Sequence, residues 1–160
     1  MKRSIISFAA LALFMRCSLA LAQSAPPASI PRIGTAPHSA NQTFTMLKGY
    51  FANPVNFYQI TSADERAHTI VARRSGIDTA SWGQWAYCSL GPSHMLDTLR
   101  DSSVTLNIKI EPSGTSSYVT VTADFEGTYG IMSSQSTMQC TSKGVLEGSI
   151  LSIVGASSGT

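Results

Sequence analysis

Two stretches of strict alternation dominate the middle of the chain. Over residues 103–110, Val104, Leu106, Ile108 and Ile110 fall on one side and Ser103, Thr105, Asn107 and Lys109 on the other. That period of two is what a strand with one buried face requires. Residues 118–126 repeat it, with Val119, Val121, Ala123 and Phe125 opposing Tyr118, Thr120, Thr122, Asp124 and Glu126. The segment between them holds Pro112 and Gly114, both turn formers, so the two strands are predicted to form a hairpin. After a Ser-rich loop and Cys140, the residues Leu146, Ile150 and Ile153 recur at helical spacing. Closer to the start, Phe44, Leu47, Lys48 and Phe51 fall at i, i+3, i+4 and i+7. This predicts a short helix, capped by Thr43 or Asn41 and ended at Asn53-Pro54.

The remaining pattern is weaker. Residues 55–61 and 68–74 are β-prone and flank the polar run 62–66, which suggests a second hairpin. Its alternation is imperfect, since Val55 and Phe57 share one side while Tyr58 and Ile60 share the other. An edge strand touching apolar groups on both faces reads this way. Residues 84–89 are expected to form a further strand, broken by Gly91-Pro92, and 94–99 fit a helical turn or a loop equally well. An apolar sheet face needs a cover, and the flanking helices supply one. The expected fold is therefore α+β: an antiparallel sheet of four to five strands, with a short N-terminal helix and a C-terminal helix packed on one face.

The ends of the chain set its expected compartment. Lys2 and Arg3 precede an apolar run over residues 5–15, and Ala20-Leu21-Ala22 supplies a small-x-small cleavage site. This is the layout of a secretory signal peptide over 1–22, its apolar run shorter than the roughly 20 residues a membrane span needs. Arg16 interrupts the signal on its C-terminal side. Lipid-anchor signals place small residues directly before their cysteine, whereas Cys17 follows Met15 and Arg16. The expected location is the periplasm or the exterior, with Cys17 discarded; outer-membrane anchoring through Cys17 is the alternative. Residues 23–42 contain Pro26, Pro27, Pro31 and Pro37 and are expected to be a flexible leader. Residues 43–154 then form a single domain, and 155–160 a disordered tail.

Removing the signal changes the electrostatics. The whole chain carries a formal charge of +2, but Lys2, Arg3 and Arg16 leave with the signal. What remains is close to neutral, which argues against nucleic acid or an anionic membrane as a partner. The adjacent pair Arg73-Arg74 reads as a solvated strand end. No apolar run after residue 22 is long enough to span a bilayer as a helix. The two cysteines that remain, Cys88 and Cys140, are expected to be joined, because an exported chain matures in an oxidising compartment. In the chain-entropy picture, a link closing about fifty residues stabilises by roughly 3–4 kcal/mol.

Candidate chemistry is sparse. Ser93, His94 and Asp97 are the residue types of a hydrolase triad, but Gly91-Pro-Ser-His lacks the nucleophile elbow. Asp124 and Glu126 share the polar side of one strand, and nothing in the pattern predicts a cleft between them. His38, His68 and His94 are scattered, which supports no metal site, and no cofactor motif is present. Gly144 and Gly148 have the spacing that lets a helix approach a sheet closely. Trp82, Trp85 and Tyr87, together with Tyr58, make the one cluster suited to a binding patch, because aromatic rings combine contact area with a polar handle. The competing reading places those rings in the core.

The run Cys140-Thr-Ser-Lys-Gly-Val-Leu-Glu147, entering an apolar helix after a strand pair, resembles the ending of small bacterial envelope proteins. The order of elements over residues 43–154 is similar to that of BamC-type outer-membrane assembly lipoprotein domains. Two features depart from that pattern: the surroundings of Cys17, and the segment from Trp82 to Cys88. The resemblance implies a non-enzymatic accessory domain of the cell envelope, acting through contacts with an envelope or secreted protein. The alternatives are a small periplasmic hydrolase or cell-wall enzyme, and an inhibitor or immunity-type protein presenting its aromatic loop.

Overall fold

A computed structural model describes residues 29–89, 98–131 and 134–158. The chain order is β1 (Arg32–Ala36), α1 (Ala40–Ala52), a single 3-10 turn (Pro54–Asn56), β2 (Gln59–Asp64) and β3 (Thr69–Ser75). Then follow α2 (Thr79–Trp85), β4 (Ala86–Tyr87), β5 (Thr98–Ser113), β6 (Ser116–Ile131), β7 (Ser134–Ser142), α3 (Val145–Ile153) and β8 (Ser157–Ser158). The fold is α+β, with an antiparallel sheet whose strands run β2-β3-β5-β6 from one edge. The far edge of β6 is shared. Its first half pairs with β1, which carries β8 beyond it, and its second half pairs with β7, which carries β4.

The predicted hairpin is the spine of this sheet. Val104, Leu106, Ile108 and Ile110 of β5 stand opposite Phe125, Ala123, Val121 and Val119 of β6, and all eight are buried. Ile70 and Ala72 of β3 continue the same apolar face. α1 covers it with Phe44, Leu47 and Phe51, and α3 with Leu146, Ile150 and Leu151. Thr43, on the inner side of α1, bonds the buried hydroxyl of Ser117 at 2.9 Å, so the polar pair is satisfied internally.

Several local details differ from the sequence expectation. The cap of α1 is Ser39, paired with Gln42 in a capping box, instead of Thr43 or Asn41. Part of the expected flexible leader is β1, seated on β6. Its inward residues are Gly34 and Ala36, because α3 and its exit lie directly against the strand: a Cβ on Gly34 would come within 3.1 Å of Ala156. A strand whose inner side must be small carries no hydrophobic signal. The expected Ser-rich loop is largely β7, which points Met138 and Cys140 inward opposite Gly127 and Phe125. The start of the expected tail pairs with β1 as β8. Residues 84–89 are the end of α2 and the two-residue β4 instead of one strand, and Val55 lies in the 3-10 turn. The described strands number eight, not four or five.

Gly144 and Gly127 are two further glycines that the packing demands. Gly144 begins α3 at φ 76°, with the Arg32 guanidinium filling the space a side chain would need. At Gly127 a Cβ would strike the rings of Tyr129 and Trp82. Cys88 and Cys140 are joined, tying the strand after α2 to β7 across a separation of 52 residues. That bond belongs to an oxidising compartment.

Candidate functional site

The expected aromatic cluster divides in two. Trp82 is core: it is 4% exposed, meets Phe125 edge-on at 5.5 Å, and donates from Nε1 to the Tyr129 hydroxyl at 3.0 Å. That hydroxyl in turn donates to Sγ of Cys88. The indole, the phenol and the disulfide thus form one internal chain, with no polar group of Trp82 left for a partner. Tyr87 is exposed, but it lies beside Thr141 of β7, on the sheet side away from the helices. Trp85 and Tyr58 do come together, through a residue expected to be a solvated strand end.

That residue is Arg74. Its guanidinium lies 5.3 Å from the Trp85 ring, 5.7 Å from Phe57 and 5.8 Å from Tyr58. All three separations are in the range where a ring quadrupole attracts a cation. The placement follows from local structure. Arg74 stands opposite Val104, on the helix-covered side of β3, but at the end of the strand, where α1 has already finished. Trp85 reaches it from the last turn of α2. Tyr58 reaches it from just before β2 and meets Phe51 edge-on at 5.1 Å, so the patch is continuous with the core. Burial pushes the Tyr58 phenol above its ordinary value, and nearby Tyr50 adds to this while Arg74 opposes it.

Phe57 is the least expected member. It closes the 3-10 turn at φ 58° and ψ 23°, the left-handed region, with its N–H donating to the Pro54 carbonyl. Its side chain is 71% exposed, and that of Val55 beside it 72%. A bulky residue in the left-handed region is uncommon, and a large exposed ring gains little from burial to offset the strain. The broken alternation over residues 55–60 was the trace this turn left in the sequence. Nothing local marked Arg74.

The other candidates do not converge on a site. Ser93, His94 and Asp97 lie outside the described residues. Asp124 accepts from Asn107 at 2.9 Å and Glu126 from Gln139 at 3.2 Å, both on the open side of the sheet. His68 bonds Asn41 at 2.6 Å and meets Phe44 edge-on. Among the described residues, no three His, Cys, Asp or Glu side chains gather as metal ligands, and no helix is long and apolar enough to cross a membrane. A shallow depression of about 410 Å³ on the open side is lined by Thr69, Val71, Asn107, Lys109, Thr120 and Thr122. Glu147, in the first turn of α3, is fully buried, and neither carboxyl oxygen has a hydrogen-bond partner among the described residues.

No family model matches this sequence, and no curated protein matches it. The chain is similar to the crystal structure of a DUF4468 family protein from Bacteroides ovatus, at 13% identity and a TM-score of 0.36. That similarity covers 68% of this chain and 58% of the other. It assigns neither family nor function.

Proposed function

We propose that this chain is an exported, non-enzymatic binding domain of the cell envelope, acting through protein–protein contacts. The surface that makes those contacts is Val55, Phe57, Tyr58, Trp85 and Arg74. The single observation carrying this reading is the exposed Phe57 ring, held in a left-handed turn beside a cation already lined by two further rings. Surfaces that recognise proteins are rich in these residue types, with aromatic and arginine side chains at their energetic centres. The disulfide supports the compartment, which is periplasmic or extracellular in this reading. The accessory role that a BamC-type resemblance implies is of the same kind.

A photo-crosslinking amino acid at position 55, in the cells that export the protein, tests this. A discrete protein adduct is expected, lost when Trp85→Ala or Arg74→Gln is added while the circular dichroism spectrum is unchanged. Absence of an adduct, or one indifferent to both changes, would overturn the proposal.

A further inference from the structure

The arrangement around Arg74 also indicates what kind of partner the patch takes. Aromatic rings attract the charge of a guanidinium but leave its five in-plane N–H donors in need of oxygen acceptors. Among the described residues, the ion pairs are Lys48 with Glu65 at 2.8 Å and Lys109 with Glu111 at 2.8 Å, and no carboxylate pairs with Arg74. Among the described residues, the Tyr58 phenol is a neighbouring polar group on which the Arg74 charge acts. The three rings hold the half-buried guanidinium in place and lower the polarity around it, which strengthens any charge-assisted bond made there. Beside it stands the exposed ring of Phe57, with the exposed side chain of Val55 two residues earlier in the chain. A cation fork next to an apolar shelf is complementary to a carboxylate next to an apolar side chain.

We infer that the Arg74 patch binds a protein segment in which an Asp or Glu side chain is flanked by a large aliphatic residue. The carboxylate takes the edge of the guanidinium, and the aliphatic group lies on Phe57 and Val55. Charge complementarity selects this occupant: the chain is close to neutral without its signal, so attraction at this patch comes from one preorganised cation and not from a broad basic field. The inference rests on the binding reading above and adds the partner's chemistry.

The test titrates the full mature protein with two blocked peptides, acetyl-Leu-Glu-Leu-amide and acetyl-Leu-Gln-Leu-amide, following the Trp85 indole N–H and Arg74 Nε–H signals by NMR. The glutamate peptide should shift both signals and bind at least about tenfold more tightly than its amide counterpart, as expected when a charge-assisted bond is lost. Arg74→Gln should erase the preference, and Arg74→Lys should restore part of it, because a lysine keeps the charge without the planar fork. Equal binding of the two peptides, or none at these signals, overturns the inference. The crosslinked adduct at position 55 would still stand in that case, so the two readings fail separately. Two further results would also overturn it. One is a concentration-dependent dimer abolished by Phe57→Asn, which makes the occupant a second copy. The other is Arg74-dependent binding to phosphatidylglycerol vesicles in place of the peptide, which makes it a lipid surface.

Discussion

Trp82 and Trp85 stand on the same short helix and have opposite fates. Trp82 is sealed between α2 and the second half of β6, its N–H satisfied by Tyr129, its ring against Phe125. Trp85, on the last turn, leans over a cation at the rim of the sheet, where cover by the helices ends. The first ring serves the fold, because its area and its polar handle are both used inside. The second is only half-buried and shares its cation with two other rings, so contact area remains for a partner. Residue type does not separate the two; position relative to the last covering element does.

Breaking the sealed side should have the largest effect. Trp82→Ala removes a buried indole together with the hydrogen bond it gives the Tyr129 hydroxyl, and is expected to cost about 4 kcal/mol, read as a fall in the urea midpoint. Replacing both cysteines, Cys88→Ser with Cys140→Ser, releases the 52-residue constraint beside the same ring and should cost roughly 3–4 kcal/mol. If stability is unchanged after either, Trp82 is not the internal support described here.

The sealed side also holds one group whose needs are unmet. Glu147 is buried with no partner for either oxygen among the described residues, so Glu147→Met, an unbranched apolar replacement, should raise stability by about 1–2 kcal/mol. A loss of similar size in thermal unfolding would show that the carboxyl is satisfied in solution. The rim should behave differently from all three. Trp85→Ala is expected to cost less than about 1 kcal/mol, in keeping with a half-exposed cation–aromatic contact. Phe57→Asn, which suits the left-handed region, should leave stability unchanged or raise it by about 0.5 kcal/mol. Both should abolish the position-55 adduct. A large stability loss at Trp85 or Phe57 would erase the distinction between rim and core.

The β5–β6 hairpin and α1 were legible because their signals are local. Alternation at a period of two and apolar spacing of three and four residues come from backbone geometry, and any segment long enough to repeat them declares itself. The capping of α1 was nearly so, its signature lying in Ser39, two residues before Asn41, and Gln42, between Asn41 and Thr43. β1, β7 and β8 left no such trace. β1 must be small on its inner side because α3 presses on it, and β7 turns only a few residues toward the core. Their pairing is decided by β6, a partner far away in sequence, and not by their own composition.

The candidate site shows the same division more sharply. Cys88 and Cys140 could be paired from the sequence because only two cysteines follow residue 22 and an oxidising compartment favours their union. Tyr58 and Trp85 were named, but so were Trp82 and Tyr87, which lie in the core and on the other side of the sheet. Arg74 and Phe57 were invisible as site residues. An arginine becomes a recognition group only when distant rings are brought against its faces, and a phenylalanine becomes an exposed shelf only when a turn holds it outside the core. By itself the sequence determined the α+β class, the central hairpin, the first helix and the cysteine pair, all of which follow from local periodicity or from chemistry with one available partner. Which rings are covered and which are offered depended on where α1 and α2 end over the sheet, and that is a property of packing between segments that no stretch of chain encodes alone.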